Sequence, residues 1–310
     1  MKKILISMLA VAALVSCSKE ESIRVDQGEL IGFGNAFVDN STRAAAATDP
    51  SYGTANPLTS FKVYGAVEGV NIFSGANVTK GDAAYGAAWG CDGKTQYWIA
   101  GADYIFDAVV NGTVKDPDAA GLPTALSYAI ADQKDMLHQR VTTVGKPTSN
   151  NGLVTFTFTH LLSKVKLSIE NTTPNTATEY RYTVTDIVLN NVYTSGDCSV
   201  PNHTWSNTVT GTYAGIADLT IASATTEECA TEVLLIPGSA LGISFNVNIE
   251  MKSGDNWELV STTAFSKDSV VTLAANTAYS LNLTVGLDDT IQFTATQMPD
   301  WTNGGGVTVQ

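Results

Sequence analysis

Alternation with a period of two runs through this chain and restricts it to one broad class of fold. Ile243, Phe245, Val247, Ile249 and Met251 alternate with small or polar residues, and Tyr279, Leu281, Leu283 and Val285 do the same. Successive side chains of a strand point to opposite faces, so each run reads as a strand with one face buried. Val154, Phe156 and Phe158 share one parity, whereas Val165, Leu167 and Ile169 share the other. The buried face must therefore change across residues 160–164, through a turn, a bulge or a move to another sheet. A second change of parity separates Tyr180, Tyr182 and Val184 from Ile187 and Leu189. Abundant Thr suits pleated, half-buried surfaces, and Gly, Asn and Asp punctuate the runs with turns. The expected fold class is all-β, with short strands arranged in sandwiches or barrels.

Helical signal is scarce. Residues 122–137, with Pro123 early and Ala125, Ala129 and Ala131 within, are expected to hold one or two helical turns in a loop. Nothing alternates strands with long helices as a parallel α/β sheet demands. A length of 310 residues suits about two domains. The polar stretch at residues 171–179, which contains Pro174, is the best linker and divides the body into residues 44–172 and 173–310. A net charge of −13 opposes phosphate backbones and anionic lipid surfaces, which argues against nucleic acid as a partner. The 44% of hydrophobic residues equips the chain to bury a core, unlike an acidic disordered tail.

A membrane link enters at the start of the chain. Lys2 and Lys3, the apolar run at residues 4–15 and Ser16 make residues 1–16 an export signal. The run is shorter than the roughly 20 residues that a spanning helix needs. Leu14-Val15-Ser16-Cys17 resembles a bacterial lipobox, in which cleavage falls before the Cys and its thiol and new amine are acylated. Several acyl chains on one residue grip a bilayer better than one, so outer-membrane lipid is an expected partner through Cys17. The following Ser18-Lys19-Glu20-Glu21 reads either as an outer-membrane sorting and surface-export tag or as a solvated spacer. Residues 17–43 form a tether, and within it residues 30–38 are extended, with Ile31, Phe33 and Phe37 on one parity after Leu30. Cys91, Cys198 and Cys229 are left; a Cys198–Cys229 bridge and three buried free thiols are both compatible with an exported chain.

No constellation for catalysis emerges. His138, His160 and His203 lack the spacing of a helical or hairpin metal site, and no Cys-x-x-Cys occurs, so neither a metal nor a cofactor is expected. Gly32-Phe33-Gly34 lacks the third glycine of a pyrophosphate cradle and reads as a turn. Asp116-Pro117-Asp118 lacks the later Gly and Glu of a calcium loop. Glu227 with Glu228 and Asp288 with Asp289 are neighbours, which point to opposite faces of a strand, so they read as turn charges rather than as a glycosidase pair. Trp89, Tyr97 and Trp98 could stack on a sugar or pack a core. They are the candidate contacts if the protein is a monomeric surface lipoprotein that binds a host glycan or protein. His160, at the parity change, reads as a hydrogen-bonded corner residue.

The ordered set of Cys17, Thr42-Arg43-Ala44, Asp132-Gln-Lys-Asp-Met-Leu137, Phe158-Thr-His160-Leu-Leu-Ser-Lys164-Val165, Leu234-Leu235-Ile236-Pro237, Ile291-Gln-Phe293 and Trp301 resembles the fimbrillin family, lipoprotein-precursor subunits of type V pili. The resemblance implies two β-sandwich domains of transthyretin-like Greek-key topology and a non-enzymatic pilus subunit or adhesin. It implies that an Arg-specific protease cuts after an early arginine, here between Arg43 and Ala44, and removes the strand at residues 30–38. A sheet robbed of a strand presents unpaired backbone and an uncovered core, which another chain can fill by strand addition. Other pilus subunits are then head-to-tail partners, and the location is an outer-membrane lipoprotein or, once processed, a fimbrium. Val307 and Val309, in the short tail after Trp301, are the possible donor strand. If Arg43 is an ordinary loop arginine, the protein stays a lipid-anchored monomer.

Overall fold

The computed structural model describes residues 25–38, 58–81, 89–92, 95–171, 180–200, 202–222, 229–285, 291–298 and 307–308. The strands of the first part are β1 (Val25–Leu30), β2 (Phe33–Val38), β3 (Ser60–Val67), β4 (Val70–Lys80), β5 (Trp89–Cys91), β6 (Tyr97–Ile99), β7 (Asp103–Val110), β8 (Thr113–Lys115), β9 (Ala125–Ala129), β10 (Leu137–Val144) and β11 (Val154–His160). They are followed by β12 (Ser163–Asn171), β13 (Tyr180–Ser199), β14 (Thr204–Tyr213), β15 (Leu219–Ala222), β16 (Cys229–Leu235), β17 (Ala240–Ser253), β18 (Asn256–Thr272), β19 (Thr277–Val285), β20 (Ile291–Met298) and β21 (Val307–Thr308). The fold is all-β, and the described residues contain no α-helix.

Seven strands close a barrel in the order β10-β11-β2-β5-β4-β3-β7, with β7 pairing back onto β10. Inward positions carry large rings: Phe33, Phe61, Phe73, Trp98, Phe106, Phe156 and Phe158 are all buried in one cluster. A small barrel has room only for side chains, and aromatic rings fill it edge to face. The second body consists of two sheets, β16-β12-β19-β20-β21 and β18-β17-β13-β9-β8, with β14 and β15 also on β13. Both sheets feed one core, to which Leu167, Leu281 and Leu283 contribute from the first and Val184, Ile243 and Phe245 from the second. The alternating residues at 243–251 and 279–285 are thus inward faces of strands in opposite sheets.

The sheets do not divide the chain between residues 172 and 173. β8 and β9 leave the barrel after β7 and join the second body, β10 and β11 return to the barrel, and β12 crosses again. The parity change at residues 160–164 is this second crossing, where Leu161 and Leu162 are fully enclosed. The change after Val184 is a bulge: pairing with β17 shifts register between Thr185 and Val188, and Asp186 sits at φ 53°. Asp tolerates that left-handed backbone better than most residues. The expected helical turns at residues 122–137 are a correction: Ala125–Ala129 is strand, paired with Ser195–Ser199 of β13, and only a 3-10 turn at Ile130–Asp132 follows. Pairing with β13 outweighs the weak helical preference of the alanines.

Three of the sequence segments singled out above meet where the chain crosses between bodies. Gln133, at φ 42°, donates from Nε2 to the Leu234 carbonyl at 3.1 Å and accepts the Leu234 N–H on Oε1 at 2.9 Å. Asp135 Oδ2 lies 2.8 Å from His160 Nδ1, and both side chains are completely buried. The Leu161 N–H donates to the Met136 carbonyl at 2.9 Å, and the Trp205 indole N–H donates to the Leu161 carbonyl at 3.1 Å. His160 is therefore a buried corner residue. Cys198 is a free, buried thiol pushed up to about 12 by burial, and Cys91, also free, is raised to about 11 by burial and by Asp92; the side chain of Cys229 lies outside the described residues.

A second polar chain joins the bodies. Arg140 grips Asp107 with Nε at 2.8 Å and Nη2 at 2.7 Å, and His138 Nε2 lies 2.9 Å from the same carboxylate. Burial alone would raise Asp107, but the bonds from His138 and Arg140 outweigh it and hold the carboxyl below its usual range. His138 Nδ1 meets His203 Nε2, from the β13–β14 turn, at 2.9 Å. One of these two nitrogens must present a lone pair, so the contact excludes two imidazolium ions. Burial first, and the neighbouring His138 second, lower the pKa of His203 from 6.5. The unfolded chain then binds more protons than the native one, and this contribution to stability is complete above the unfolded value and lost as pH falls through the folded one. Urea unfolding should show stability declining as the pH falls below about 6.5, and His203→Gln should flatten that decline.

Candidate functional site

The segment expected to be removable is built into the barrel wall. β2 runs parallel to β11, with Phe33 opposite Val154 and Ala36 opposite Phe156, and it is antiparallel to β5 with Phe33 opposite Trp89. β1, just before it, pairs with β6 through Val25 with Ile99 and Leu30 with Tyr97. Hydrogen bonds pin the link between them: the Ile31 N–H donates to the Gln96 carbonyl at 2.8 Å and the Val154 N–H to the Gly32 carbonyl at 3.0 Å. Lys146 adds an ion pair to Glu29 at 2.6 Å.

Phe33 is the plug of this lane. Its ring is completely buried and lies 5.7 to 6.4 Å from the rings of Phe61, Phe73, Phe106 and Phe156. Gly32-Phe33-Gly34 is extended wall rather than a turn, which corrects the sequence expectation. A Cβ on Gly32 would stand 2.8 Å from Leu153 Cδ2, and one on Gly34 would stand 2.9 Å from Thr155 Cγ2. The two glycines let the neighbouring segment, residues 153–155, approach closely while the ring between them points inward. The strand also bulges, with two residues of β2 set against one of β11 between the paired positions. Ile31 and Phe33 face the core before the bulge, and Ala36 and Val38 pack against it afterwards. The side chain of Phe37 lies outside the described residues. Glycines at alternate positions around one large apolar residue were the readable signal, whereas the bulge left none.

The aromatic candidates for ligand contact fall on both sides of the wall. Trp89 is buried, tilted 5.5 Å from Phe61, and Trp98 is completely enclosed, 4.8 Å from Tyr104 and 6.0 Å from Phe106. Neither can touch a ligand at the surface, because their rings are needed to fill the barrel. Tyr97 is 45% exposed and alone of the three is accessible. Val307–Thr308 pairs with β20 of its own chain, Gln297 opposite Val307 and Thr296 opposite Thr308. Cys17, Arg43, Ala44 and Val309 lie outside the described residues. Asp118 accepts the Ala120 and Leu122 N–H groups at 2.9 Å, which makes Asp116-Pro117-Asp118 a turn. Among the described residues no group of three or more His, Cys, Asp or Glu could hold a metal ion.

A barrel sealed by the chain's own N-terminal strand and followed by a two-sheet body defines an all-β, multi-strand class of protein. The model of the fimbrillin-like family matches residues 42–301, and the chain belongs to that family. A fimbrial protein from Bacteroides vulgatus shares the fold, at TM-score 0.53 and 16% identity over 88% of this chain and 99% of that one. So does a protein described as a cell adhesion protein from Bacteroides uniformis, at TM-score 0.50 and 16% identity over 88% of this chain and 98% of that one. No curated protein matches the chain in sequence.

Removing the plug ring while keeping the strand tests how strongly β2 is held. Phe33→Ala should destabilise the protein by roughly 3 to 5 kcal/mol in denaturant unfolding, whereas Leu30→Ala, on the exposed side, should stay within about 0.5 kcal/mol.

Proposed function

We propose that this protein is a fimbrial subunit or fimbrillin-like surface adhesin, exported as a lipoprotein acylated at Cys17 and carrying a strand that is exchanged during assembly. The observation that carries the reading is β2, an N-terminal strand that is paired on both edges and seals the barrel with Phe33. Arg43 follows it in sequence, and β1 and β2 lie outside the residues matched by the family, 42–301. A cut between Arg43 and Ala44 separates β2 covalently from β11 and β5. Loss of the strand uncovers the Phe61, Phe73, Phe106 and Phe156 rings and unpairs the facing backbone, a surface that only another extended apolar segment satisfies.

The donor in this reading is the C-terminal tail of the next subunit. Val307–Thr308 is held to its own sheet by a two-residue pairing at the edge, an arrangement that releases easily. Donor and acceptor are different surfaces, so the contact is head-to-tail and extends into a filament anchored through lipid at its base. An end-positioned adhesin would keep β2 and remain a tethered monomer; the pairing of the tail with its own chain favours that second reading. The lipid and the processing site place the protein on the outer membrane, surface exposed, and in a fimbrium after cleavage.

The experiment is limited Arg-specific proteolysis of purified residues 17–310, followed by native sizing. Cleavage after Arg43 is expected to convert monomer into a ladder of oligomers, and Arg43→Ala to remain monomeric and leave cells without filaments. A cut product that stays a stable monomer, together with normal filaments on Arg43→Ala cells, sinks strand exchange.

A further inference from the structure

The outer face of the barrel and the second body enclose a polar cleft that no part of strand exchange uses. It has a volume of about 380 Å³ and opens into a neighbouring hollow of about 390 Å³, the two sharing Thr113, Ser127, Tyr128 and Asp132. The barrel wall is made by alternate residues of β3: Phe61 and Val63 point into the barrel, so Ser60, Lys62 and Tyr64 point out, with Asn77 of β4 beside Lys62. The facing wall is β8, β9 and the segment after the 3-10 turn, which brings Thr113, Asp132 and Lys134.

The polar groups here fall into two sets. Some are already committed to the fold: Asn111 donates to the Asp135 carbonyl at 2.6 Å, and Ser127 donates to Asp197 at 2.6 Å. Asp197 is drawn down to about 2 by hydrogen bonds from Lys115, Ser127 and Asn207, which fixes the floor. The other set is uncommitted. Among the described residues, the side chains of Ser60, Lys62, Asn77, Thr113, Asp132 and Lys134 make no hydrogen bond or ion pair, although all six face one cleft. They combine hydroxyl, amide, carboxylate and ammonium groups, hence donors and acceptors together. Tyr64, half-buried, lines the same wall with the part of its ring that does not pack against the second body's core.

We infer that this cleft is a saccharide-binding site. Its size accommodates roughly one or two sugar rings. A polyhydroxylated ligand needs mixed donors and acceptors on opposing walls and an aromatic face for its C–H groups, which is the composition present. A peptide added as a strand needs a length of free backbone, but β3 is paired by β4 and β7, β9 by β8 and β13, and β8, the one edge strand here, is only three residues long. A phosphate-rich polymer needs concentrated positive charge, and Asp132 sits with the two lysines in a body of net charge −13. The inference deepens the adhesin side of the proposed function and is independent of whether strands exchange.

The test is a glycan array probed with the purified chain from residue 17 with Cys17→Ala, followed by calorimetry with the best saccharide. Asn77→Ala combined with Asp132→Asn is expected to weaken that saccharide at least tenfold with an unchanged melting temperature, and Tyr97→Ala to leave affinity within twofold. Lys62→Ala, on the exposed face of β3, provides a second and independently folded loss-of-binding variant. Silence of the whole array, or a saccharide whose affinity none of the cleft variants alters, overturns the site. A change in oligomer size in place of a change in affinity also overturns it, since the cleft would then be a contact between copies. Monomeric protein is used throughout, so a failure of strand exchange leaves the outcome untouched.

Discussion

The architecture rests on the short run from Asp132 to Leu137, where the chain passes from the second body back to the barrel. Polar groups carried through a crossing between two cores have no water to turn to, and an unpaired one is expensive. Here each partner comes from a segment far away in sequence: Gln133 takes both backbone groups of Leu234, Asp135 takes His160, and the Met136 carbonyl takes the Leu161 N–H. The end of β11, the entry to β12 and β16 are thereby set at one point. The geometry of the crossing accounts for these residues and needs no catalytic role for His160.

The barrel is organised around a different principle. Its interior is filled by rings that touch one another, and Phe33 is the one supplied by the N-terminal strand. A wall element that contributes a single plug and two glycines is specific in shape without being large. What replaces it must bring an apolar side chain to the same depth and a bare backbone on either side. The same crowding withdraws Trp89 and Trp98 from the surface, so recognition of anything outside the protein falls to polar faces elsewhere.

Much of this was legible beforehand, and the failures share a cause. Period-two alternation identified the strands at 243–251 and 279–285, and the two parity changes marked a sheet crossing and a bulge at Asp186. These signals are local, written in neighbouring residues. The misread features depend on partners distant in sequence. Ala125–Ala129 becomes strand because β13 lies beside it, and Gly32 and Gly34 belong to a wall because residues 153–155 press against them. Strands interleave between the bodies, and that sharing has no local signal, since a polar linker such as residues 171–179 marks only a break in the periodicity. His138 with His203, and the six uncommitted groups of the cleft, come from separate strands and loops, and no spacing along the chain announces them.

The parallel pairing of β2 with β11 also sets an order of events in folding. The two partners are separated by most of the barrel's sequence, and a contact of such range forms late, after the hairpin β3–β4 has local reasons to close. The barrel strand synthesised first is then among the last to dock. Until it does, the nascent barrel passes through an open intermediate with an empty lane between β11 and β5, the same species that proteolysis would regenerate. Under the proposed strand exchange, a factor that shields that lane in the nascent chain would cover the very surface that a donor strand fills later.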